Sequence, residues 1–323
     1  MSDAALEARN VYVRYGGLPA VVDADLRVER GEVVALIGET GSGKSSLAFA
    51  VARLLPPGTY ATGSIEIGGR EIVGLVPSQM RALRGASIGY IAQDSMAALN
   101  PTTRVGWQIA EAFRIHENVG RRQSWARTVD ALRRVRIAQP AEVARLYPHQ
   151  LSGGMRQRVM IAMALALLPA LVVADEPTTA LDVSTQAEIL ELVMSLRTET
   201  GAGILWITHD MGVVAELADR VAVMYGGRIV EQGTAEQVFD APLHPYSDAL
   251  LKTLRDLRRG APGSAMFQIE GQPPSLSQTI SGCAFHPRCP HADERCVVED
   301  PPVEASETRR VACHHPLVAA AVP

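Results

Sequence analysis

One stretch constrains this chain more than any other: Gly38-Glu-Thr-Gly-Ser-Gly-Lys44-Ser45. It follows Val33-Val-Ala-Leu-Ile37, a continuous apolar run of the kind that forms a fully buried strand. A helical stretch from Lys44 to Leu55 comes next, and Pro56-Pro57 is expected to stop it. The pattern G-x-x-x-x-G-K-[ST] between strand and helix is a phosphate cradle. Its glycines let the backbone turn several N–H groups onto phosphate oxygens, and the helix start adds partial positive charge. The Lys44 ammonium is suited to β and γ phosphates and the Ser45 hydroxyl to magnesium. Lys44 is one of two lysines in a chain whose other 29 basic residues are arginine, which singles out its ammonium.

The remaining pattern fits the same architecture. Strand-like runs recur at Val11–Tyr15, Val21–Val28, Ser64–Ile67, Ile88–Ile91, Leu171–Ala174, Gly203–Thr208, Val221–Tyr225 and Arg228–Glu231. Helical patterns occupy Trp107–Arg136, Val159–Leu168 and Gln186–Arg197, and Thr234-Ala-Glu-Gln237 reads as a helix capping box. Strands alternating with helices predict an α/β fold with a mostly parallel sheet covered on both faces.

A length of 323 residues predicts about two domains. Residues 242–323 hold 11 of the 20 prolines and every cysteine, so a boundary is expected near 235–240, with a loop-rich tail after about 260. The net charge of −4 gives no general attraction for nucleic acid. The start shows no secretory signal, and the longest apolar stretch, Val159–Ala174, is interrupted by Pro169 and too short to span a bilayer. Leu171-Val-Val-Ala-Asp175-Glu176 is an apolar strand ending in two acids, a costly arrangement unless a cation meets them. Asp175 is then the magnesium ligand and Glu176 the group that polarises an attacking water; an ordinary acidic strand-to-loop boundary is the alternative.

Leu151-Ser-Gly-Gly-Met-Arg-Gln157, ahead of a long apolar helix, resembles the signature sequence of ABC-type ATPases. The motif order agrees with that family over about residues 8–250: phosphate loop, Gln93, signature, Asp175-Glu176, Ala180-Leu-Asp182, His209. A narrower similarity links Gln93-Asp-Ser-Met-Ala-Ala-Leu-Asn-Pro101, Tyr147-Pro-His-Gln-Leu151, His244-Pro-Tyr246 and Gly282-Cys-Ala-Phe-His-Pro-Arg-Cys-Pro290 to the ATPase subunits of oligopeptide and dipeptide importers. Nickel importers share much of this vocabulary.

The resemblance implies a P-loop NTPase fold with an antiparallel β subdomain and a helical subdomain at about 94–160, an ATPase domain over 1–240 and an extension over 241–323. It implies ATP and Mg2+ as cofactors. Gly38, Gly41, Ser42, Gly43, Lys44, Ser45 and Ser46 would bind ATP, with Tyr15 stacked on adenine or, alternatively, packed as a strand aromatic. Ser45, Gln93 and Asp175 would serve magnesium; Glu176, His209 and Gln93 would serve hydrolysis. Ser152, Gly153, Gly154 and Gln157 would meet the ATP of a partner, and Asp182 would sit at the dimer seam or simply cap a helix. The implied partners are a second, related ATPase chain, two transmembrane permease subunits and, indirectly, an extracytoplasmic peptide-binding protein. The implied location is the cytoplasmic face of the cell membrane. A nickel importer is the alternative substrate class. An ATPase acting on nucleic acid or ribosomes is disfavoured by the single set of motifs and the acidic balance.

Cys283, Cys289, Cys296 and Cys313 lie within the last 41 residues, spaced C-x5-C-x6-C-x16-C. This spacing lacks the C-x2-C hairpins of zinc ribbons and departs from ferredoxin patterns. The thiols are expected to hold a [4Fe–4S] cluster or a zinc ion as a structural staple, with free thiols as the remaining alternative.

Overall fold

The computed structural model describes residues 4–179, 181–259, 269–275, 278 and 280–317. The chain forms two compact units that interleave along the sequence. The first takes Met1–Glu7, Arg27–Val33 and Ile65–Ile207; the second takes Ala8–Leu26, Val34–Ser64 and Thr208–Pro323.

In chain order the first elements are β1 (Ala4–Tyr15), β2 (Leu18–Glu29), β3 (Val33–Ile37), α1 (Lys44–Ala52), β4 (Thr59–Ile67) and β5 (Arg70–Glu71). Then come α2 (Pro77–Leu83), β6 (Ile88–Ile91), α3 (Ser95–Ala98), α4 (Val105–Glu117), α5 (Arg121–Arg134), α6 (Pro140–Val143) and α7 (Gly153–Leu165). They are followed by β7 (Leu171–Asp175), α8 (Val183–Thr200), β8 (Gly203–Ile207), α9 (Met211–Leu217), β9 (Arg220–Tyr225) and β10 (Arg228–Thr234). The last are α10 (Ala235–Asp240), α11 (Pro245–Arg259), α12 (Glu294–Val298), β11 (Val303–Ala305) and β12 (Arg310–Ala312). In the first unit the end of β4 pairs antiparallel with β5 (Glu66↔Glu71). No helix among the described residues is long and apolar enough to cross a membrane.

In the first unit β6, β7 and β8 run parallel, in the register Ile88↔Leu171 and Asp175↔Ile207. Strands β7 and β8 are buried along their whole length, as their unbroken apolar runs require. The helical stretch expected over Trp107–Arg136 is two helices. Asn118 adopts φ 52 at the end of α4, which stops it, and Gly120 caps α5. The pair is held by Trp107 against Trp125 (ring centroids 5.3 Å apart) and by the Arg127 guanidinium over the Phe113 ring at 4.4 Å.

In the second unit β3 lies parallel to β9, with Val34↔Arg220 and Ile37↔Val223. Helix α1 ends at Ala52 because Arg53 turns to φ 55 and its N–H closes onto Ala50 and Phe49 carbonyls, three residues before the proline pair. Strand β10 returns antiparallel to β9 through Gly226-Gly227, and Thr234 forms the expected capping box with Gln237. The tail is less loop-like than its composition suggests. Strand β12 pairs antiparallel with β10 (Glu231↔Val311), and β11 pairs with β12. Glu231, fully buried, accepts hydrogen bonds from the Leu243 and His244 N–H groups and pairs with Arg309 at 2.6 Å. A buried carboxylate is tolerated because each oxygen is met. Beside it Tyr225, Tyr246 and Phe285 form an aromatic triangle with centroids 4.6–5.3 Å apart, packed with Val238, Cys283 and Cys296.

Candidate nucleotide site and cysteine cavity

The phosphate loop belongs to the second unit. Gly38 has φ +149, and a Cβ there would meet the Met224 carbonyl oxygen at 2.1 Å, so only glycine fits against β9. Gly43, which has no side chain, is the N-cap of α1. A helix start led by glycine can present its N–H groups to an anion. Lys44 is buried, and its ammonium donates to the carbonyls of Gly38 (2.8 Å) and Glu39 (2.9 Å), with Ser42 Oγ at 3.5 Å. Gly41 and Ser45 are exposed, Ser42 is buried, and Ser46 is half-buried. Tyr15 closes β1, half-buried, and His209 is exposed on the bend between β8 and α9.

The carboxylate pair belongs to the first unit. Asp175 ends β7 almost fully buried and accepts a hydrogen bond from the Tyr90 hydroxyl at 3.2 Å. Burial, and then the adjacent Asp175 charge, push the Tyr90 phenol well above its ordinary value, so it stays a donor. Glu176 leaves the strand with φ 46, a left-handed conformation uncommon for a side-chain-bearing residue. Its N–H is held by the Ile207 carbonyl at 2.9 Å, and its Oε2 accepts from Gln93 Nε2 and from Thr179 Oγ1, both at 3.1 Å. Gln93 and Glu176 are 83 residues apart in sequence yet share a hydrogen bond. The left-handed turn carries the Glu176 carboxylate out of the strand.

The signature residues start α7. Ser152 is the N-cap, its Oγ accepting from the Met155 N–H at 3.3 Å, and Gly153 and Gly154 form the first turn. A Cβ on Gly154 would meet Thr185 Cγ2 at 2.8 Å, so the small residue lets α7 start close to the start of α8. Gln157 is buried, and its Nε2 has no hydrogen-bond partner among the described residues. Asp182 caps α8, accepting from Thr185 N–H (2.9 Å), Thr185 Oγ1 (2.8 Å) and Ser184 Oγ (2.6 Å). Those bonds, the Ser184 hydroxyl first, hold its carboxyl far below the usual carboxylate range. The capping alternative for Asp182 is therefore realised, while the residue stays exposed. Ala180, in the stretch Ala180-Leu-Asp182, lies outside the described residues.

The four cysteines converge. Cys283, Cys289, Cys296 and Cys313 line one narrow cavity with His244, His286, His291, His314 and His315. All four are free thiols, and burial is the main cause that raises each thiol, Cys313 up to about 11. Burial thus favours the protonated thiols until a cation stabilises the thiolate form. Asp293, Cys296 and His315 bring their donor atoms within 4.8 Å of one another, and His315 Nε2 lies 2.9 Å from Asp293 Oδ2. Burial pushes the His244 imidazole down to about 3, so it is neutral.

Three residues at these sites escape motif reading. Tyr90 sits three positions before Gln93 in β6 and supports Asp175; a phenol followed at that spacing by a polar loop start is its only signal. Glu39 occupies a variable position of the phosphate pattern, and Arg288 lies between two cysteines, yet they are joined at 2.6 Å. No spacing rule links positions 249 residues apart.

The profile of the family described as ABC transporter matches residues 21–179, and that of the oligopeptide/dipeptide transporter C-terminal region matches residues 230–296. The oligopeptide transport ATP-binding protein OppD of Escherichia coli K12 is 43% identical over 320 residues, covering 98% of this chain and 94% of that protein. A probable peptide ABC transporter ATP-binding protein of Sinorhizobium fredii, y4tR, is 46% identical over 301 residues, covering 91% of this chain and 90% of that protein. Among solved structures, the dimeric ABC transporter cassette MJ0796 superposes with a TM-score of 0.63 at 27% identity, covering 71% of this chain and 98% of that one. The motif resemblance thus extends over nearly the whole sequence, and the chain belongs to the ABC transporter family of ATP-binding, ATP-hydrolysing subunits, in the branch that carries the oligopeptide/dipeptide-type C-terminal region.

Proposed function

We propose that this subunit energises an importer of di- and oligopeptides, in which paired ATPase domains close on ATP and part after hydrolysis. The observation that carries the chemistry is Glu176, turned out of β7 at φ 46 and hydrogen-bonded to Gln93 at 3.1 Å. The substrate class rests on the relatives' peptide transport.

In this reading Gly38, Gly41, Ser42, Gly43, Lys44, Ser45 and Ser46 cradle the phosphates, and Lys44 exchanges loop carbonyls for phosphate oxygens. Tyr15 stacks on adenine, and His209 hydrogen-bonds the γ phosphate. Glu176 takes the proton of the attacking water, and Gln93 orients that water. Ser45, Gln93 and Asp175 are the oxygen donors suited to Mg2+, which when bound neutralises phosphate charge. Ser152, Gly153, Gly154 and Gln157 bind the γ phosphate of the partner's ATP, with Asp182 at the seam. Closure is driven by the difference between ATP and ADP in affinity for the closed pair. Residues 1–240 act as the ATPase domain, residues 94–160 contact the permease, and residues 241–323 form the extension. Two permease subunits, a related ATPase chain and, indirectly, an extracytoplasmic peptide-binding protein are the partners, at the cytoplasmic face of the membrane.

Purification of the native complex, followed by ATPase assay in liposomes with the binding protein, tests this. Peptide-loaded binding protein is expected to stimulate hydrolysis several-fold over the unloaded protein. Stimulation by nickel and by no peptide would overturn the substrate class.

We assign an inorganic centre to the cysteine cavity, because four thiols lining one pocket, three of them buried, gain most when a cation ionises and cross-links them. A [4Fe–4S] cluster is the first assignment and zinc the second. Zinc needs its thiolates packed within one tetrahedron of ~2.3 Å bonds, whereas the compact donor group among the described residues holds one thiol. Cys283, Cys289, Cys296 and Cys313 would hold the group, which supplies covalent stapling of the extension. Protein purified without oxygen is expected to contain about four iron and four sulfide per chain. Absence of iron, sulfide and zinc from such a sample would rule the centre out.

A further inference from the structure

The phosphate loop and the cysteine module meet at one residue. Arg288 follows Pro287 and precedes Cys289 in the 3-10 turn His286–Arg288. Its guanidinium forks onto the Glu39 carboxylate, Nη1 to Oε2 at 2.6 Å and Nη2 to Oε1 at 3.1 Å. The Arg288 side chain is 4% exposed and that of Glu39 25%. The remaining guanidinium donors are also engaged: Nε with the Glu270 carbonyl at 2.9 Å, and Nη2 with the Ile269 carbonyl at 3.2 Å. Nη1 also reaches the Tyr225 hydroxyl at 3.3 Å, with the guanidinium carbon 5.8 Å from the Tyr225 ring centroid. Every direction of the fork is fixed, which is unlike an exposed ion pair held by two mobile side chains.

Glu39 is gripped a second time from the C-terminal part of the chain. Its backbone N–H donates to the hydroxyl of Tyr246, a fully buried residue of α11, at 2.8 Å. On its other side the Glu39 carbonyl accepts from Lys44 Nζ at 2.9 Å and from Ser42 N–H at 3.2 Å. A continuous path therefore runs Cys289, Arg288, Glu39, Lys44, through peptide bonds and hydrogen bonds alone. Moving the Glu39 peptide moves a carbonyl that sets the Lys44 ammonium and the turn that opens α1.

We propose that Arg288 is a positioning residue for the nucleotide site: it transmits the folded state of the cysteine module to the phosphate loop through Glu39, so that nucleotide affinity and order around Cys289 are linked. This rests on the phosphate-cradle role of residues 38–46. Linkage is reciprocal, so nucleotide must tighten the module as much as the module tightens nucleotide.

The test uses the full-length chain and two readouts: titration with a fluorescent ATP analogue, and backbone hydrogen exchange around residues 283–296 read by mass spectrometry. In the wild type, saturating ATP is expected to slow exchange in that segment. Arg288→Met is expected to weaken ATP analogue binding by about tenfold, within the usual range of site-to-site coupling, and to abolish the ATP effect on exchange. Arg288→Lys, which keeps the charge and loses the fork, is expected to recover part of the affinity. Glu39→Gln cuts the same path from the loop side and is expected to lose a similar factor even if Arg288→Met disorders the module. The double variant is expected to be no weaker than the worse single one. Wild-type affinity in Glu39→Gln, or recovery of wild-type affinity in the double variant, overturns the proposal, the latter in favour of simple charge neutralisation. A wild-type chain that fails to bind the analogue refutes the cradle assignment instead, and is thereby told apart.

Discussion

Glu176→Gln is expected to cut steady-state hydrolysis by about 10²–10⁴-fold, the usual contribution of a positioned general base, while ATP still binds. Glutamine matches the shape of the carboxylate and can keep hydrogen bonds to Gln93 and Thr179 after an amide flip, so the φ 46 turn survives. Only proton acceptance is lost. With ATP and the partner ATPase present, the closed pair should then accumulate, because the step that opens it no longer occurs. Phosphate release and light scattering measure the two halves of the claim. Unchanged hydrolysis would remove Glu176 from the role of base.

Lys44→Ala acts one step earlier. The ammonium is buried and bridges the Gly38 and Glu39 carbonyls at 2.8 and 2.9 Å. Alanine removes the cation and leaves both loop carbonyls without that donor, so the empty loop and the loaded loop are both damaged. Loss of kcat/KM by about 10²–10³-fold or more is expected, the cost typical of removing one preorganised donor from a developing oxyanion. Lys44→Arg should not rescue it, since a planar fork cannot occupy a point-charge position inside so tight a turn. Equilibrium binding of a nucleotide analogue separates lost affinity from lost turnover. Near-native kcat/KM in Lys44→Ala would contradict the assignment.

The parts of the fold that were legible in the sequence share a physical property: local chemistry dictates them. The apolar runs of β3, β7 and β8 can only be buried, and Gly38-x-x-x-x-Gly43-Lys44 can only turn as it does, with Met224 against Gly38. The capping box at Thr234 and the N-cap at Asp182 are equally local. The break between α4 and α5 was hidden because Asn118 accepts a left-handed conformation without a glycine or proline to announce it. The strands of the tail leave no mark in the sequence because they are three residues each, too short to show alternation, and form by β12 pairing with β10 and β11 with β12. Tyr90–Asp175 and Arg288–Glu39 were invisible for a third reason. They are pairings of polar side chains across 85 and 249 residues, set by tertiary packing, for which no periodicity exists.

The interleaving of the two units has a consequence for synthesis. Residues 34–64, including the phosphate loop, leave the ribosome early, but the strand that flanks them is Arg220–Tyr225, and the arginine that anchors Glu39 is residue 288. Residues Ile65–Ile207 are contiguous and belong to the other unit. Contacts that close such long loops form late and slowly. The phosphate loop is thus made well before the strand and the arginine that complete it, and a nascent chain holds that loop in an unfinished form until residue 288 has been made.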